Sequence, residues 1–186
     1  MSTLELKELS HPSGEVIKIA AGKTLDLKTQ GSVTMPSGSV LQVVNGITNT
    51  VVETSSTTYV DTGLTATITP TSTSNKILVT VTQLLFIGNT ARSNGVGVKL
   101  LRGSTVILDN DNGLGYGSVY RDINVASITN MGFTSVVTFS YIDSPSTTSA
   151  TTYKITGRLQ SANNGGSVRF QGYSGHSTIT LTEVSA

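Results

Sequence analysis

No cysteine occurs anywhere in the chain, so neither disulfides nor thiolate metal ligands hold it together. Its stability has to come from burial and association. Charge is sparse and balanced: twelve basic residues face eleven acidic ones, for a formal net charge of +1. No basic cluster exists to neutralise a run of phosphates, so nucleic acid is not an expected partner. Long hydrophobic runs are missing too. The most apolar stretch, Ile77 to Ile87, is interrupted by Thr80, Thr82 and Gln83, and the opening residues Met1 to Glu8 lack the apolar core of a signal peptide. Neither membrane insertion nor export by a visible signal is expected. Of the eleven Asn residues none sits in an Asn-x-Ser/Thr sequon, which weighs against glycosylation in a secretory pathway.

Helical stripes are also absent, and what remains is β-structure. Ser and Thr make up more than a quarter of the residues, and Thr, Val and Ile recur in alternating runs. Between Glu15 and Val44 the alternation comes in short bursts, such as Val16-Ile17-Lys18-Ile19 and Thr24-Leu25-Asp26-Leu27, punctuated by Gly14, Gly22, Gly31 and Gly38. Each burst is too short to bury its own apolar face, so it needs something stacked on it. The expected partner is another copy of the chain. Residues 15–44 therefore read as the β-rich stem of a homo-oligomer.

From Leu64 onward the strands lengthen. Leu64, Ala66 and Ile68 share a face, and Pro70 ends their run because it cannot donate to a ladder. Ile77, Val79 and Val81 alternate with Leu78, Thr80 and Thr82, but Gln83 followed by Leu84-Leu85-Phe86-Ile87 breaks the parity. A bulge or burial of both faces would explain it. Val96 to Leu100 and Val106 to Leu108 read as a hairpin with Gly103 at positive φ. Phe133, Val137, Phe139 and Tyr141 share one face, as do Tyr153, Ile155 and Leu159. Asn163-Asn164-Gly165-Gly166 marks a turn before Val168 and Phe170. Ile179 and Leu181 then alternate with Thr178, Thr180 and Thr182 in a final strand regular enough to sit inside a sheet. About eight strands make an all-β sandwich, read as a jelly-roll head over residues 45–186.

The runs Gly38-Ser39-Val40-Leu41-Gln42-Val43-Val44, Thr57-Thr58-Tyr59-Val60-Asp61-Thr62-Gly63-Leu64-Thr65-Ala66-Thr67-Ile68-Thr69-Pro70, Asn75-Lys76-Ile77-Leu78-Val79-Thr80-Val81 and Ser177-Thr178-Ile179-Thr180-Leu181-Thr182-Glu183-Val184 resemble those of tail-fibre and related structural proteins of marine tailed bacteriophages, including phages of cyanobacteria. The resemblance spans residues 15 to 186. It implies a homotrimeric virion fibre whose head is similar to the trimeric jelly rolls of the complement and tumour-necrosis-factor type. On that footing residues 1–14 are an N-terminal segment that attaches to other virion proteins, and the head is exposed on the virion. The stem is short for a full fibre, which leaves a main tail fibre, an accessory fibre and a capsid fibre or decoration protein all open.

Chemistry was sought in the few groups able to supply it. Asp109, Asp111 and Asp122 form the one acidic cluster, and two carboxylates flanking a glycosidic bond would make a polysaccharide-degrading tailspike. The surrounding Asp109-Asn110-Asp111-Asn112-Gly113 reads instead as turn chemistry. It also fails as a calcium loop, with Gly113 fifth and Tyr120 twelfth where glycine sixth and glutamate twelfth are required. Gly113-Leu114-Gly115-Tyr116-Gly117 lacks the helix of a dinucleotide site. His11 and His176 are the two histidines, and no other soft donors accompany them. No catalytic residue, metal or cofactor is expected. A better case lies in loop residues that join flat rings to bidentate polar groups: Arg92, Asn94, Tyr116, Tyr120, Arg121, Asp122, Tyr173 and His176, with Asn163, Asn164 and Arg169 nearby in sequence. Such surfaces suit a hydroxyl-rich ligand, either a host cell-surface glycan or an outer-membrane protein.

Overall fold

The computed structural model describes residues 21–22, 35–90, 93–111, 118–122, 131–161 and 166–186. The chain divides into two units, Met1–Met35 and Pro36–Ala186, and the second holds every strand among the described residues. All are antiparallel and fall into two sheets. In the first, β1 (Val40–Thr48) pairs with β11 (Ser177–Val184), β11 with β4 (Lys76–Thr90), and β4 with β8 (Met131–Asp143). Alongside the far half of β4, β10 (Ser167–Phe170) and β2 (Val52–Thr54) extend the lines of β11 and β1. In the second sheet β3 (Val60–Ile68), β9 (Thr151–Leu159) and β5 (Asn94–Arg102) are neighbours, and β6 (Thr105–Asp109) and β7 (Val119–Arg121) share the far edge of β5.

With β1 and β2, β6 and β7, and β10 and β11 each taken as one interrupted strand, eight strand-lengths remain. Their orders, one-eight-three-six and two-seven-four-five, are the double Greek key of a jelly roll. The all-β sandwich expected from the alternation is what the chain forms. Of the expected stem, residues 15–20 and 23–34 lie outside the described residues. Its last residues, Val40 to Val44, belong to β1 and pair with β11.

Alternation explains the layers. Ile179 and Leu181 are fully buried while Thr178, Thr180 and Thr182 face outward, so β11 has one apolar side even though both of its edges are paired. Along β4, Ile77, Val79, Val81, Leu85 and Ile87 all point inward, and the register to β8 runs without a shift from Ile77 to Ile87. The parity break in the sequence is therefore no bulge. Gln83 occupies an inward position at 0% exposure, while Leu84 and Phe86 are half-buried on the outer face. The sheets meet closely where Phe170 of the first lies over Gly157 of the second and where Gly46 of the first lies against the Thr65 carbonyl of the second, positions at which any Cβ would collide.

A buried amide network accommodates Gln83. In the amide orientation that satisfies both ends, the Gln171 amide nitrogen has the carbonyls of Thr50, Phe170 and Thr62 within 3.1 Å for its two hydrogens, and its oxygen accepts from Gln83 Nε2 at 2.8 Å and Ser177 Oγ at 3.1 Å. These bonds hold the kink between β10 and β11, where Gln171, Tyr173 and Ser174 take φ of 56°, 56° and 57°. Non-glycine residues adopt that region at a cost, and they keep it only where the surroundings dictate it.

Glu183 is a second buried polar group, fully shielded and, among the described residues, facing no cation. Its carboxylate accepts from Gln42 Nε2 (2.6 Å), Asn75 Nδ2 (2.7 Å), Thr71 N (2.7 Å) and Thr71 Oγ1 (2.8 Å). Burial works against the ionised form, but the hydrogen bonds from Asn75, Gln42 and Thr71 outweigh it and hold the acid below its usual range. A carboxyl whose pKa is depressed on folding contributes stability above its unfolded pKa and loses it as pH falls through the folded value. Thermal unfolding followed from pH 7 down to pH 3 should therefore show a falling melting temperature in the wild type. Glu183→Gln should start lower at pH 7, because its amide nitrogen faces donors, and should fall less steeply. Parallel pH curves for the two proteins would remove Glu183 from the acid response.

Candidate functional site

The structure distributes the expected ligand residues over two places and leaves two unplaced, since Arg92 and Tyr116 lie outside the described residues, as do Asn163 and Asn164. At one end of the sandwich, pairing of β5 with β7 sets Asn94 opposite Arg121 and Gly95 opposite Tyr120. Asn94 is 1% exposed, and its amide is spent within the fold: Nδ2 donates to the Ser161 carbonyl at 3.0 Å while Oδ1 accepts from Ser161 N at 3.2 Å and Gly95 N at 2.9 Å. Its role is to fix the end of β9 to the start of β5. Arg121 lays its guanidinium over the Phe133 ring, 5.1 Å from the centroid, which ties β7 of one sheet to β8 of the other. Asp122 accepts from Ser93 Oγ. Tyr120 remains 41% exposed beside them.

Tyr173 and His176 are elsewhere, on the turn that joins β10 to β11. Tyr173 is 74% exposed and meets Phe86 edge to face, with centroids 5.1 Å apart at 70°. The turn rests on the outer face of the first sheet, where Gly172 lies against Phe86 and a Cβ at Gly175 would collide with Leu84. In the same row as Phe86, Arg169 pairs with Glu53 at 3.0 Å, and the hydrogen bond from Ser167, followed by that from Arg169, holds the Glu53 acid below its ordinary range.

Sequence reasoning treated Asp109 and Asp111 as a polar turn, and the structure gives that turn a specific seat. Asp111 is 1% exposed and accepts from the Tyr59 hydroxyl and, at 2.6 Å, from Arg158 Nε. It sits where Gly97 leaves room, since any Cβ there would strike the carboxylate. Lys99 stands over the Tyr59 ring at 4.3 Å and pairs with Asp109 at 2.9 Å. Burial, then the Asp111 hydrogen bond, push the Tyr59 phenol well above its ordinary pKa, while the same carboxylate raises Arg158. Asp109 and Asp111 are thus each committed to a cation. Among the described residues no three His, Cys, Asp or Glu side chains come together as a metal site.

The largest contrast between the sheets lies on their outer faces. On the second sheet one row runs Asp61, Thr156, Lys99, Asp109, and the next brings in Lys154, with Arg158 and Asp111 beyond. On the first sheet the rows are Val43–Thr182–Leu78–Ile142, Asn45–Thr180–Thr80–Ser140, Ile47–Thr178–Thr82–Thr138 and Leu84–Val136. Not one residue in these four rows is charged, while the rows flanking them on the same face carry Lys76 and the Glu53–Arg169 pair. Val43, Ile47, Val136 and Ile142 are between 50% and 65% exposed. The doublets Val136-Val137 and Tyr141-Ile142 were the available signal, because each puts an apolar residue on both faces of one strand.

No protein-family model matches the chain, and no curated protein matches it. Among solved structures it aligns with dimeric latent PorU from Porphyromonas gingivalis at a TM-score of 0.38 and 12% identity, covering 82% of this chain and 14% of that one. It also aligns with the structure of infectious bursal disease virus Gx strain at a TM-score of 0.38 and 13% identity, covering 90% of this chain and 42% of that one. The chain thus spans less than half the length of either, and similarity at this level transfers no function.

The seat of Asp111 is open to a direct test by denaturant unfolding at fixed chain concentration. Gly97→Ala should destabilise by about 1–3 kcal/mol as an overpacked site does, and Asp111→Ala by a similar amount through the stranded Arg158. The double variant should cost well under the sum, because both changes empty one seat. Strictly additive costs would show that Gly97 and Asp111 act independently.

Proposed function

We propose that this chain is a non-enzymatic virion structural protein, a homotrimeric fibre whose jelly-roll head attaches to a bacterial surface. One observation carries the reading: four successive rows on the outer face of the first sheet carry no charge and expose Val43, Ile47, Val136 and Ile142, with the Glu53–Arg169 pair and Lys76 beyond them, whereas the outer face of the second sheet carries the pairs Lys154–Asp61 and Lys99–Asp109 across its middle. Monomeric proteins rarely leave such a face to water, and interface centres are depleted in charge. The motif resemblance to phage fibres agrees with it, as does the commitment of Asp109 and Asp111 to Arg158, Tyr59 and Lys99.

In this reading Tyr173, on the outer face of the first sheet, belongs to the contact between copies, and ligand contact falls to the end that carries Tyr120, Arg121 and Asp122. Tyrosine supplies area at small entropic cost, while the charged groups fix orientation through hydrogen bonds. A glycan on the host surface suits that chemistry, and three heads per fibre raise weak contacts by a factor on the order of a hundred or more where geometry permits.

Sedimentation of the whole chain at micromolar concentration should give a trimer, and a folded monomer would end the fibre reading. Binding of the fluorescently labelled chain to a panel of marine bacteria tests the adhesive part. Tyr120→Ala should reduce it about tenfold, with stability within about half a kcal/mol of wild type as for most surface changes. A trimer that binds none of the cells would favour a capsid fibre or decoration protein over an adhesin.

A further inference from the structure

Strand β1 is held least firmly at its entry. Its pairing with β11 runs without a shift from Gln42 opposite Glu183 to Thr48 opposite Ser177, but between Val40 and Gln42 the register slips and leaves Leu41 as an extra residue. Ahead of that bulge the chain is clasped by Ser185. Gly38 N donates to its carbonyl at 3.0 Å and Ser39 N to its hydroxyl at 3.0 Å, while its own N donates to the Ser39 carbonyl at 2.9 Å and its hydroxyl to the Pro36 carbonyl at 2.6 Å. All of these residues are exposed or half-buried, and backbone pairing with so little burial opens before a core does.

Directly behind the bulge lies the buried carboxylate of Glu183. Its Oε2 accepts from Gln42 of β1, and its Oε1 from Thr71 N, Thr71 Oγ1 and Asn75 Nδ2 in the connection between β3 and β4. Gln42 Nε2 also donates to the Thr69 carbonyl at 2.8 Å, and Asn75 Oδ1 accepts from Ala186 N at 3.3 Å. One carboxylate thus stands where β1, β11 and the β3–β4 connection meet. A protonated carboxyl needs an acceptor for its hydrogen, and a backbone N–H and two amide nitrogens cannot provide one. Thr71 Oγ1 is the one partner able to accept. To do so it must withdraw its own hydrogen from Oε1, while it already accepts from Asn75 Nδ2 at 3.1 Å.

We propose that Glu183 is an acid-operated catch: protonation of its carboxyl frees Pro36–Gln42 from β11 while β4, the rest of β11 and the second sheet stay folded. The catch acts in a single chain and in an assembled one alike, whatever surface the head binds. Its sign follows from the hydrogen bonds. Despite burial, Asn75, Gln42 and Thr71 keep the folded acid below its usual range, so the closed entry is favoured above about pH 4.3, the ordinary glutamate value, and loses that advantage as pH falls from there through the folded value. Few charged groups surround it among the described residues. β1 and residues 69–75 contribute none, and β3 turns Leu64, Ala66 and Ile68 into the core. Lys76 of β4 points outward and donates to Ser144 Oγ at 2.8 Å, and Asp143 of β8, beyond Ile77 in the same row, is tied to Arg102 and Tyr153.

Amide hydrogen exchange on the whole chain, followed from pH 7 to pH 3 with the intrinsic pH dependence divided out, tests the catch. In the wild type the amides of Gly38, Ser39 and Ser185 should lose protection about tenfold or more, as one unit of pKa depression gives, while those of Val79 and Val81 keep theirs. Glu183→Gln, with its fold checked by circular dichroism, should show the three amides poorly protected already at pH 7 and no acid step. Thr71→Val removes one donor and should lie between the two, and it carries the comparison if Glu183→Gln does not fold. Asp143 and the α-carboxylate of Ala186 are common to all three chains, so the differences report on Glu183. An equal acid step in wild type and Thr71→Val would place the trigger elsewhere and overturn the proposal. Loss of protection at Val79 and Val81 together with the entry would overturn it too, because the whole head would then be unfolding. Neither result touches the fibre reading.

Discussion

Period-two alternation along β4 and β11 is the constraint from which the rest of this structure follows. Both strands are paired on both edges, so the backbone of each is satisfied whatever its side chains do, and the side chains alone decide which way each face is spent. Inward, Ile77, Val79, Val81, Ile179 and Leu181 meet the second sheet and leave water completely. Burying a side chain of this size contributes roughly 1.5–3 kcal/mol, and a one-residue slip would turn all of them outward at once. Register is therefore tightly specified in a protein without a single disulfide.

The polar groups inside this core act as fasteners. Gln83 sits at an inward position of β4 and costs the protein an apolar contact. In return it anchors Gln171, which holds the left-handed kink where β10 passes into β11. At the end of β8, Asp143 accepts from Tyr153 at 2.7 Å and from Arg102 at 2.8 Å, joining the edge of one sheet to two strands of the other. Burial and that carboxylate both keep the Tyr153 phenol protonated far above its ordinary range. Apart from Gln83 Oε1, which accepts no hydrogen bond, these groups have their partners within reach, which is the condition on which a buried polar network stabilises rather than weakens a fold.

Much of this was written in the alternation itself. The parities of Ile179 and Leu181, the turn at Gly103 with φ of 59°, and the interior position of the last strand were all legible. The fate of Val40 to Val44 was not, because a short alternating burst has the same pattern in a stem as in a sheet edge, and only pairing with β11 distinguishes them. Asn94 read as a surface polar group because loop composition carries no information on burial. Asp111 was invisible as a buried ion for a related reason: its seat depends on Gly97 and Arg158, fourteen and forty-seven positions away, and no local pattern reports a missing Cβ across a sheet.

Tyr173 shows how the fold changes the meaning of a residue that sequence alone singles out. An exposed aromatic on a polar turn reads as a stacking platform for a sugar. Here the turn is held from beneath by Gln171 and pressed against Leu84 and Phe86, between the Glu53–Arg169 pair and four rows of side chains that bear no charge. A ligand loop that must adapt gains little from three left-handed residues locked by a core network, whereas a contact repeated identically in every copy gains a fixed shape. On the proposed homotrimeric reading the strain is the cost of presenting Tyr173 rigidly to a neighbour, and the abundance of threonine has a parallel reason. On an outward β-face threonine favours the strand, tolerates water before assembly, and offers a hydroxyl to a partner afterward. A chain rich in it can expose a large assembly surface while single and still bury that surface when assembled.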